Sequence, residues 1–233
     1  MNTLFTDHNL FTALRAAFPA DLDAVAVETD SGLHYSWRDL DEATAMVANL
    51  FGFLDLPAGT RVAVQVDKSV EALVLYLATL RAGLVYLPLN TAYQSAEMDY
   101  FISDAKPAVL VCAGRNFGWL SKMAFLAGTQ YVFSLNDDRT GTLLERASKF
   151  PRTHTPVPSA ANDLAAIIYT SGTTGRSKGA MLSHGNLLSN ARVLQTYWDW
   201  KEGDVLIHAL PIFHVHGLFV AIHGALINGS KML

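Results

Sequence analysis

Short apolar segments alternate with helix-forming segments along most of this sequence, and that alternation limits the folds open to it. Between the apolar segments, hydrophobic residues recur at helical spacing, as they do after Ser69 and over Ser95–Asp104. Strands separated by single helices pair in parallel through right-handed crossovers. The sequence therefore predicts an α/β fold of mostly parallel sheets flanked by helices. The segments with the length and composition of buried strands are Arg61–Val66, Val85–Leu89, Ala108–Cys112 and Tyr131–Leu135.

Turn and cap residues add local detail near the start of the chain. Asp30-Ser31-Gly32 separates two apolar runs, Ala24–Glu28 and Leu33–Tyr35, and this arrangement predicts a hairpin. Ser36 is followed three residues later by Asp39, which is the spacing of a helix capping box. We therefore expect a helix to begin directly after Ser36.

Three prolines divide the chain into two predicted parts. Pro151, Pro156 and Pro158 indicate a linker or surface crossing between a first α/β subdomain, residues 1–150, and the start of a second, residues 151–233. Near the end, Val205–Ala209 resembles a strand, Leu218–Ile227 a helix, and Ser230–Leu233 the start of a further strand. We expect that last strand to lie unprotected at a sheet edge. The fold is therefore predicted to be truncated before completion.

Composition excludes several classes of protein. Half of the residues are hydrophobic (51%) and 16% are charged, which argues against disorder, and the net charge of −4 argues against a nucleic-acid partner. The single cysteine, Cys112, cannot form an internal disulfide and is expected to be a buried thiol at a strand end. No apolar run approaches ~18 clean residues and no secretory pattern opens the chain. We therefore predict a cytoplasmic protein without a membrane partner.

The segment Tyr169–Gly179 carries the most chemical information. Glycines, hydroxyl side chains and two cations follow an apolar strand, Leu164–Thr170, so backbone amides and a lysine can surround an anion. The spacing fits neither a Walker A loop nor a G-x-G-x-x-G fingerprint. The alternative is a flexible Ser/Gly turn. The residues predicted to bind the phosphates of ATP are Thr170, Ser171, Gly172, Thr173, Thr174, Gly175 and Lys178, with a contribution from Arg176 left open.

This segment resembles the signature phosphate loop of the adenylate-forming superfamily, which contains acyl-CoA synthetases, luciferases and the adenylation domains of peptide synthetases. The match departs from the commonest form at Ser177, where proline is usual. Asp204–Gly217 resembles the second core motif of the superfamily, and Lys68–Gly83 and Tyr86–Tyr93 resemble its malonyl-CoA and methylmalonyl-CoA synthetase branch. The resemblance implies the N-terminal large domain of the adenylate-forming fold, without its small C-terminal domain.

The resemblance also implies a reaction. ATP, Mg²⁺ and coenzyme A would convert a short carboxylic or dicarboxylic acid, malonate or methylmalonate, through an acyl-adenylate into its CoA thioester. In the family, the residues that hold adenine, ribose and magnesium, the arginine expected to bind the distal carboxylate of malonate, and the catalytic lysine of the small domain follow this region. The resemblance therefore implies that residues 1–233 alone are inactive and include no metal ligand. The oligomeric state is left open.

Two histidines near the second motif are candidate acid-binding residues. His214 and His216 flank Val215, so in an extended segment their side chains point to one side. By resemblance, His214 lines the acyl and adenylate pocket and helps form the route for coenzyme A, so Lys178 and His214 are the predicted catalytic residues. His216 would form the pocket wall and favour a short dicarboxylate over a fatty chain. The alternative is two hydrogen-bonded loop histidines.

The remaining histidines are interpreted as structural. We expect His184 to pack at a helix start, His223 to be hydrogen-bonded in the core, and His208 to support a strand. No spacing resembles a zinc site.

The sequence is compatible with three alternative functions. They are a synthetase for another short acid, an adenylation domain that loads a carrier protein, and a non-catalytic nucleotide-binding remnant or regulatory module.

Overall fold

The computed structural model describes residues 7–170 and 177–233 as an α/β fold with two sheets. The strands are β1 Val25–Glu28, β2 His34–Ser36, β3 Arg61–Gln65, β4 Val85–Pro88, β5 Val109–Cys112, β6 Tyr131–Ser134, β7 Leu164–Thr170, β8 Lys178–Ser183, β9 Val205–Leu206 and β10 Lys231–Met232. The helices are α1 Leu10–Ala16, α2 Trp37–Phe53, α3 Val70–Arg81, α4 Ser95–Ala105, α5 Phe117–Leu126, α6 Thr142–Ala147, α7 His184–Tyr197 and α8 His223–Ile227. A 3₁₀ turn, Gly114–Asn116, precedes α5, and a π-helix, His216–Ile222, precedes α8.

The larger sheet has the order β6-β5-β3-β4-β7-β8. Its neighbours pair in parallel except β7 and β8, which are antiparallel. The smaller sheet has the order β2-β1-β10-β9, with β1, β10 and β9 parallel and β2 antiparallel to β1. The predicted α/β class, the mostly parallel sheets and the first hairpin are confirmed.

Helix α3 lies in the core between the two sheets. Nearly all of its residues are buried, and one apolar cluster joins it to Val27 and Met232 of the smaller sheet and to Val62 and Val109 of the larger one. The opposite face of the larger sheet is covered by α4 and α5, through side chains such as Phe101 and Leu120. The larger sheet is therefore covered on both faces, as its near-continuous apolar strands require.

The final strand is not where the sequence placed it. We expected Ser230–Leu233 at an edge, but β10 pairs with β1 through Val27 and Met232 and with β9 through Leu206 and Met232. The edge prediction was wrong because a segment of four residues carries no information about which strands will flank it. The strand predicted over Val205–Ala209 is also shorter, since β9 ends at Leu206.

The proline-rich crossing is fastened to the helices beside it. Asn49 of α2 donates from its amide nitrogen to the carbonyl oxygens of Pro151 and Thr153, both at 2.9 Å. Arg81 of α3 donates to the carbonyl oxygen of His154 and to the carboxylate of Asp41. Strands from both sides of residue 150 share each sheet, and the division into two subdomains stays a prediction.

Helix α2 begins at the predicted capping box. The Ser36 hydroxyl accepts from the Asp39 amide at 3.0 Å, and the Asp39 carboxylate accepts from the Ser36 amide at 2.7 Å. We expect Ser36→Ala to lower the free energy of unfolding by about 1 kcal/mol, because an amide of the first turn loses its acceptor. Urea denaturation measures this loss. The control is Ser121→Ala, whose hydroxyl bond within α5 is long at 3.5 Å, and an equal loss in both variants would contradict the capping role.

Candidate functional site

The predicted phosphate segment is attached to the antiparallel pair β7 and β8. Their ladder runs from Leu164 opposite Ser183 to Thr170 opposite Lys178. Thr170 and Lys178 are both exposed, and the Thr170 hydroxyl donates to the Lys178 carbonyl oxygen at 3.5 Å. Two predicted phosphate ligands therefore lie side by side on neighbouring strands, at the ends of β7 and β8 that flank residues 171–176. The predicted ligands that fall outside the described residues are Ser171, Gly172, Thr173, Thr174 and Gly175.

Helix α4 contacts this end of the hairpin through side chains that were not predicted from the sequence. The Tyr100 hydroxyl donates to the Ser177 carbonyl oxygen at 2.7 Å, and the Tyr169 hydroxyl donates to the Asp104 carboxylate. The rings of Tyr169 and Phe101 pack with centroids 4.4 Å apart. Partial burial and the Asp104 carboxylate raise the pKa of Tyr169, so this hydroxyl stays protonated and keeps donating. Helix α4 therefore contacts both Tyr169 of β7 and Ser177, the residue that precedes β8.

Thr170 and Lys178 lie at the edge of the larger sheet where its parallel strands end. Strands β3, β4 and β7 are neighbours and run in one direction. Asp67 follows β3, Thr91 follows β4 and Thr170 is the last residue of β7, so all three residues lie on the same side of the sheet. A cavity of about 300 Å³ at this edge is lined by residues after β3, by Thr91, and by the segment 209–213 of the predicted second motif. Ligands of open α/β sheets bind beyond the carboxyl ends of the strands. The two predicted motifs therefore come to one edge.

His214 and His216 contact each other and are both exposed. Their rings are stacked, with centroids 5.4 Å apart and planes 13° apart, and the His216 amide donates to His214 Nδ1 at 3.3 Å. Since Nδ1 accepts, a neutral His214 ring carries its proton on Nε2, where it is a donor. Within the described part of the chain, neither ring is hydrogen-bonded to Thr170 or Lys178.

The backbone around these histidines differs from the prediction. We expected an extended segment, but the His214 amide donates to the Pro211 carbonyl oxygen at 3.4 Å and the Leu218 amide to the His214 carbonyl oxygen at 3.0 Å. The chain therefore turns at His214 and enters the π-helix at His216. The premise of an extended segment was wrong, because the glycine and apolar residues after His216 continue into a helix.

Three other histidines have the structural roles predicted for them. His184 is buried at the start of α7, where its Nδ1 accepts from the Leu10 amide at 3.0 Å, and burial lowers its pKa to about 4. His223 Nε2 lies 2.7 Å from the Tyr76 hydroxyl, and complete burial lowers its pKa to about 3. His208 Nε2 lies 3.0 Å from the Gly217 carbonyl oxygen. One nitrogen of each ring thus has a hydrogen-bond partner within the fold.

Cys112 lies in the apolar core on one face of the larger sheet. The thiol lies buried at the end of β5, so the predicted buried thiol at a strand end is confirmed, and burial raises its pKa to about 12. In residues 7–170 and 177–233, no three histidine, cysteine or acidic side chains gather where they could hold a metal ion. Those same residues also include no helix with the length and apolar character needed to cross a bilayer.

Comparison with known proteins assigns this architecture to a family. The family model of AMP-binding enzymes matches residues 14–233, which is almost the whole chain. The chain belongs to the AMP-binding enzyme family, and its fold matches the N-terminal domain of the adenylate-forming enzymes.

Within that family, the chain is similar to malonyl-CoA synthetases. Two crystal structures of MatB from Rhodopseudomonas palustris, one apo and one with ATP bound, are 48% identical and superpose with TM-scores of 0.93 and 0.92, over 97% of this chain and 45% of theirs. The malonate–CoA ligase of Arabidopsis thaliana is 27% identical over 97% of this chain and 40% of that protein. A linear gramicidin synthase protein of Brevibacillus parabrevis is 31% identical over 98% of this chain and 3% of its own length. The chain thus spans less than half of these relatives.

Proposed function

We propose that the protein carrying this chain joins malonate or methylmalonate to coenzyme A at the expense of ATP. The observation that carries the proposal is the 48% identity to MatB over 97% of the chain, at a TM-score of 0.93. The match to the Arabidopsis thaliana malonate–CoA ligase supports the same acid, and the ATP-bound MatB neighbour supports the nucleotide. The predicted cytoplasmic location is kept as part of this proposal.

The proposed reaction begins by making the carboxylate a better electrophile. A carboxylate oxygen of the acid attacks the α-phosphorus of ATP, the bond to the β-phosphate oxygen breaks, and pyrophosphate leaves with the developed negative charge. The thiol of coenzyme A then attacks the acyl carbon, loses its proton and releases AMP. Catalysis requires positive groups fixed where the leaving charge develops.

The exposed end of the β7–β8 hairpin is the proposed position of that charge. Lys178 and Thr170 lie side by side there and would hold the β- and γ-phosphates. The predicted ligands outside the described residues complete this group: Ser171, Gly172, Thr173, Thr174 and Gly175. Mg²⁺ would neutralise phosphate charge when bound, but the described residues form no acidic cluster that fits it, so no ligand is assigned.

The stacked histidines are the proposed contact for the acid. His214 Nε2 is the donor of the neutral ring and would bind an oxygen of the carboxylate, while His216 makes the pocket wall polar. A polar, exposed pair suits a short dicarboxylate better than a fatty chain. These roles of His214 and His216 are part of the proposal.

A second candidate is an adenylation domain that transfers its acid to a carrier protein. The match to the linear gramicidin synthase protein over 98% of this chain favours it. Both candidates share the adenylation step and differ in the acid and in the thiol that receives it.

A panel of acids and acceptors separates the candidates. The protein at its full natural length is supplied with ATP and with malonate, methylmalonate, oxalate, succinate, acetate or amino acids. Pyrophosphate release measures adenylation, and mass spectrometry identifies the thioester on coenzyme A or on a carrier protein. We expect malonate or methylmalonate to give the highest kcat/KM, with coenzyme A as acceptor. Preference for an amino acid with a carrier protein would contradict the proposal, and no adenylation of any acid would indicate a non-catalytic binding module.

A further inference from the structure

His208 is held at a fixed place by its backbone. Its amide donates to the Leu233 carbonyl oxygen at 2.8 Å, which extends the pairing of β9 with β10. Its carbonyl oxygen accepts from the Lys68 ammonium group, which lies in the turn between β3 and α3. The backbone of His208 is therefore tied to both sheets of the fold.

The imidazole of His208 reaches forward along the chain to the Gly217 carbonyl oxygen, 3.0 Å from Nε2. A carbonyl oxygen only accepts, so the ring must carry its proton on Nε2 and donate it. Burial and the nearby Lys68 ammonium group lower the pKa of His208, with the Gly217 contact acting in the opposite direction. The neutral ring therefore donates a hydrogen bond that joins residues 208 and 217, the two residues that flank the segment 209–216. We call 209–216 the closed segment.

Gly217 closes the same segment by close packing. A Cβ atom at this position would lie 2.1 Å from the Pro211 carbonyl oxygen and 3.2 Å from the Leu210 Cβ. Real side chains do not tolerate the first distance, so the backbone of Gly217 can approach Pro211 only because a side chain is absent. Two contacts therefore hold this segment closed: the hydrogen bond from the His208 ring to Gly217, and the close approach of the Gly217 backbone to Pro211.

His214 and His216 lie inside this closed segment. Their ring stacking and the bond from the His216 amide to His214 Nδ1 depend on the turn between Pro211 and Leu218. We propose that His208 is a positioning residue, which fixes the turn so that the His214–His216 pair faces the acid. The inference rests on the proposed acid-binding role of that pair.

The test compares two substitutions of His208 in the protein at its full natural length. The amide nitrogen of glutamine in His208→Gln reaches about as far as Nε2 and can still donate, whereas His208→Met keeps similar volume and cannot. We expect His208→Met to raise the KM for the activated acid between about 10- and 100-fold, with the KM for ATP changed less than about twofold. In His208→Gln, both KM values should stay within about threefold of the wild type. In the matched control His34→Met, on the exposed strand β2, both KM values should be unchanged.

A second readout does not depend on the substrate. Hydrogen exchange of the peptide covering residues 209–218 should accelerate between about two- and tenfold in His208→Met, and not in His208→Gln, because one closing hydrogen bond is lost. Equal exchange in the wild type and His208→Met would overturn the proposal. So would equal rises of both KM values, which indicate a merely structural residue. Altered exchange in a protein that activates no acid would sink the proposed function while leaving the closed segment supported.

Discussion

Replacing Lys178 by alanine is expected to lower acid-dependent ATP–pyrophosphate exchange by a factor of about 100 to 1,000. Removing one preorganised group that stabilises developing charge has effects of this size. Lys178 is exposed at the start of β8, opposite Thr170 on β7, so its side chain is not part of the core. The loss should therefore appear in exchange and not in folding. Exchange of labelled pyrophosphate into ATP measures it in the full-length protein.

Two further variants make the Lys178 result interpretable. Lys178→Arg keeps the charge with a different shape and should recover part of the activity. Lys122→Ala removes an exposed lysine from α5 and should leave the exchange unchanged. Wild-type exchange in Lys178→Ala, or an equal loss in Lys122→Ala, would contradict the assignment of Lys178 to the phosphates.

Acidification from pH 7.5 to pH 5 is expected to lower the free energy of unfolding by roughly 4 kcal/mol through His184 and His223 together. Burial lowers the pKa of these side chains from 6.5 to about 4 and about 3. Their contribution is therefore fully present above pH 6.5. As the pH falls below 6.5, only the unfolded chain takes up these protons, and each histidine loses about 1.4 kcal/mol per pH unit.

Above pH 5, the loss of unfolding free energy caused by the histidines can be measured separately from the loss caused by the carboxylates. Asp7 and Asp67 also have lowered pKa values, but their ordinary value of 3.8 places their titration mostly below pH 5. The histidines His154 and His208, with lowered pKa values, act in the same direction as the two buried rings. The loss measured between pH 7.5 and 5 therefore reports on buried histidines.

Single substitutions assign the pH dependence to each ring. Asparagine in His184→Asn presents an oxygen near the position of Nδ1 and can still accept from Leu10, and His223→Gln keeps a polar atom near Tyr76. Each variant should reduce the loss between pH 7.5 and 5 by about 2 kcal/mol, measured by urea denaturation at both pH values. A pH dependence that neither substitution changes would show that these histidines are not protonated on unfolding in this range.

The elements of the fold were largely predictable because their signals are local. Ser36 with Asp39 marks the start of α2, and the apolar spacing after Ser69 marks α3. The order of strands was not predictable in the same way. β10 lies between β1 and β9, and residues 27 and 232 pair although nearly the whole chain separates them. A segment as short as Ser230–Leu233 contains nothing that selects such partners.

The residues of the candidate site were also predictable only where their signals are local. Glycines, hydroxyls and Lys178 could be selected from composition, whereas the supports from Tyr100 and Asp104 come from residues 77 and 65 positions away from their partners. The π-helix was also missed. Apolar residues at Leu218 and Ile222 fit an α-helix equally well, and only the hydrogen-bond pattern distinguishes the two.

The most direct test of the central claim asks whether the segment from Thr170 to Lys178 binds the phosphates of ATP. Hydrogen exchange of a peptide covering residues 170–178 is measured with and without saturating ATP, in the protein at its full natural length. The control is a peptide from α5, Phe117–Leu126, on the covered face of the larger sheet. We predict strong protection of residues 170–178 and none of the control. Unchanged exchange of residues 170–178, with ATP binding verified in the same sample, would contradict the account.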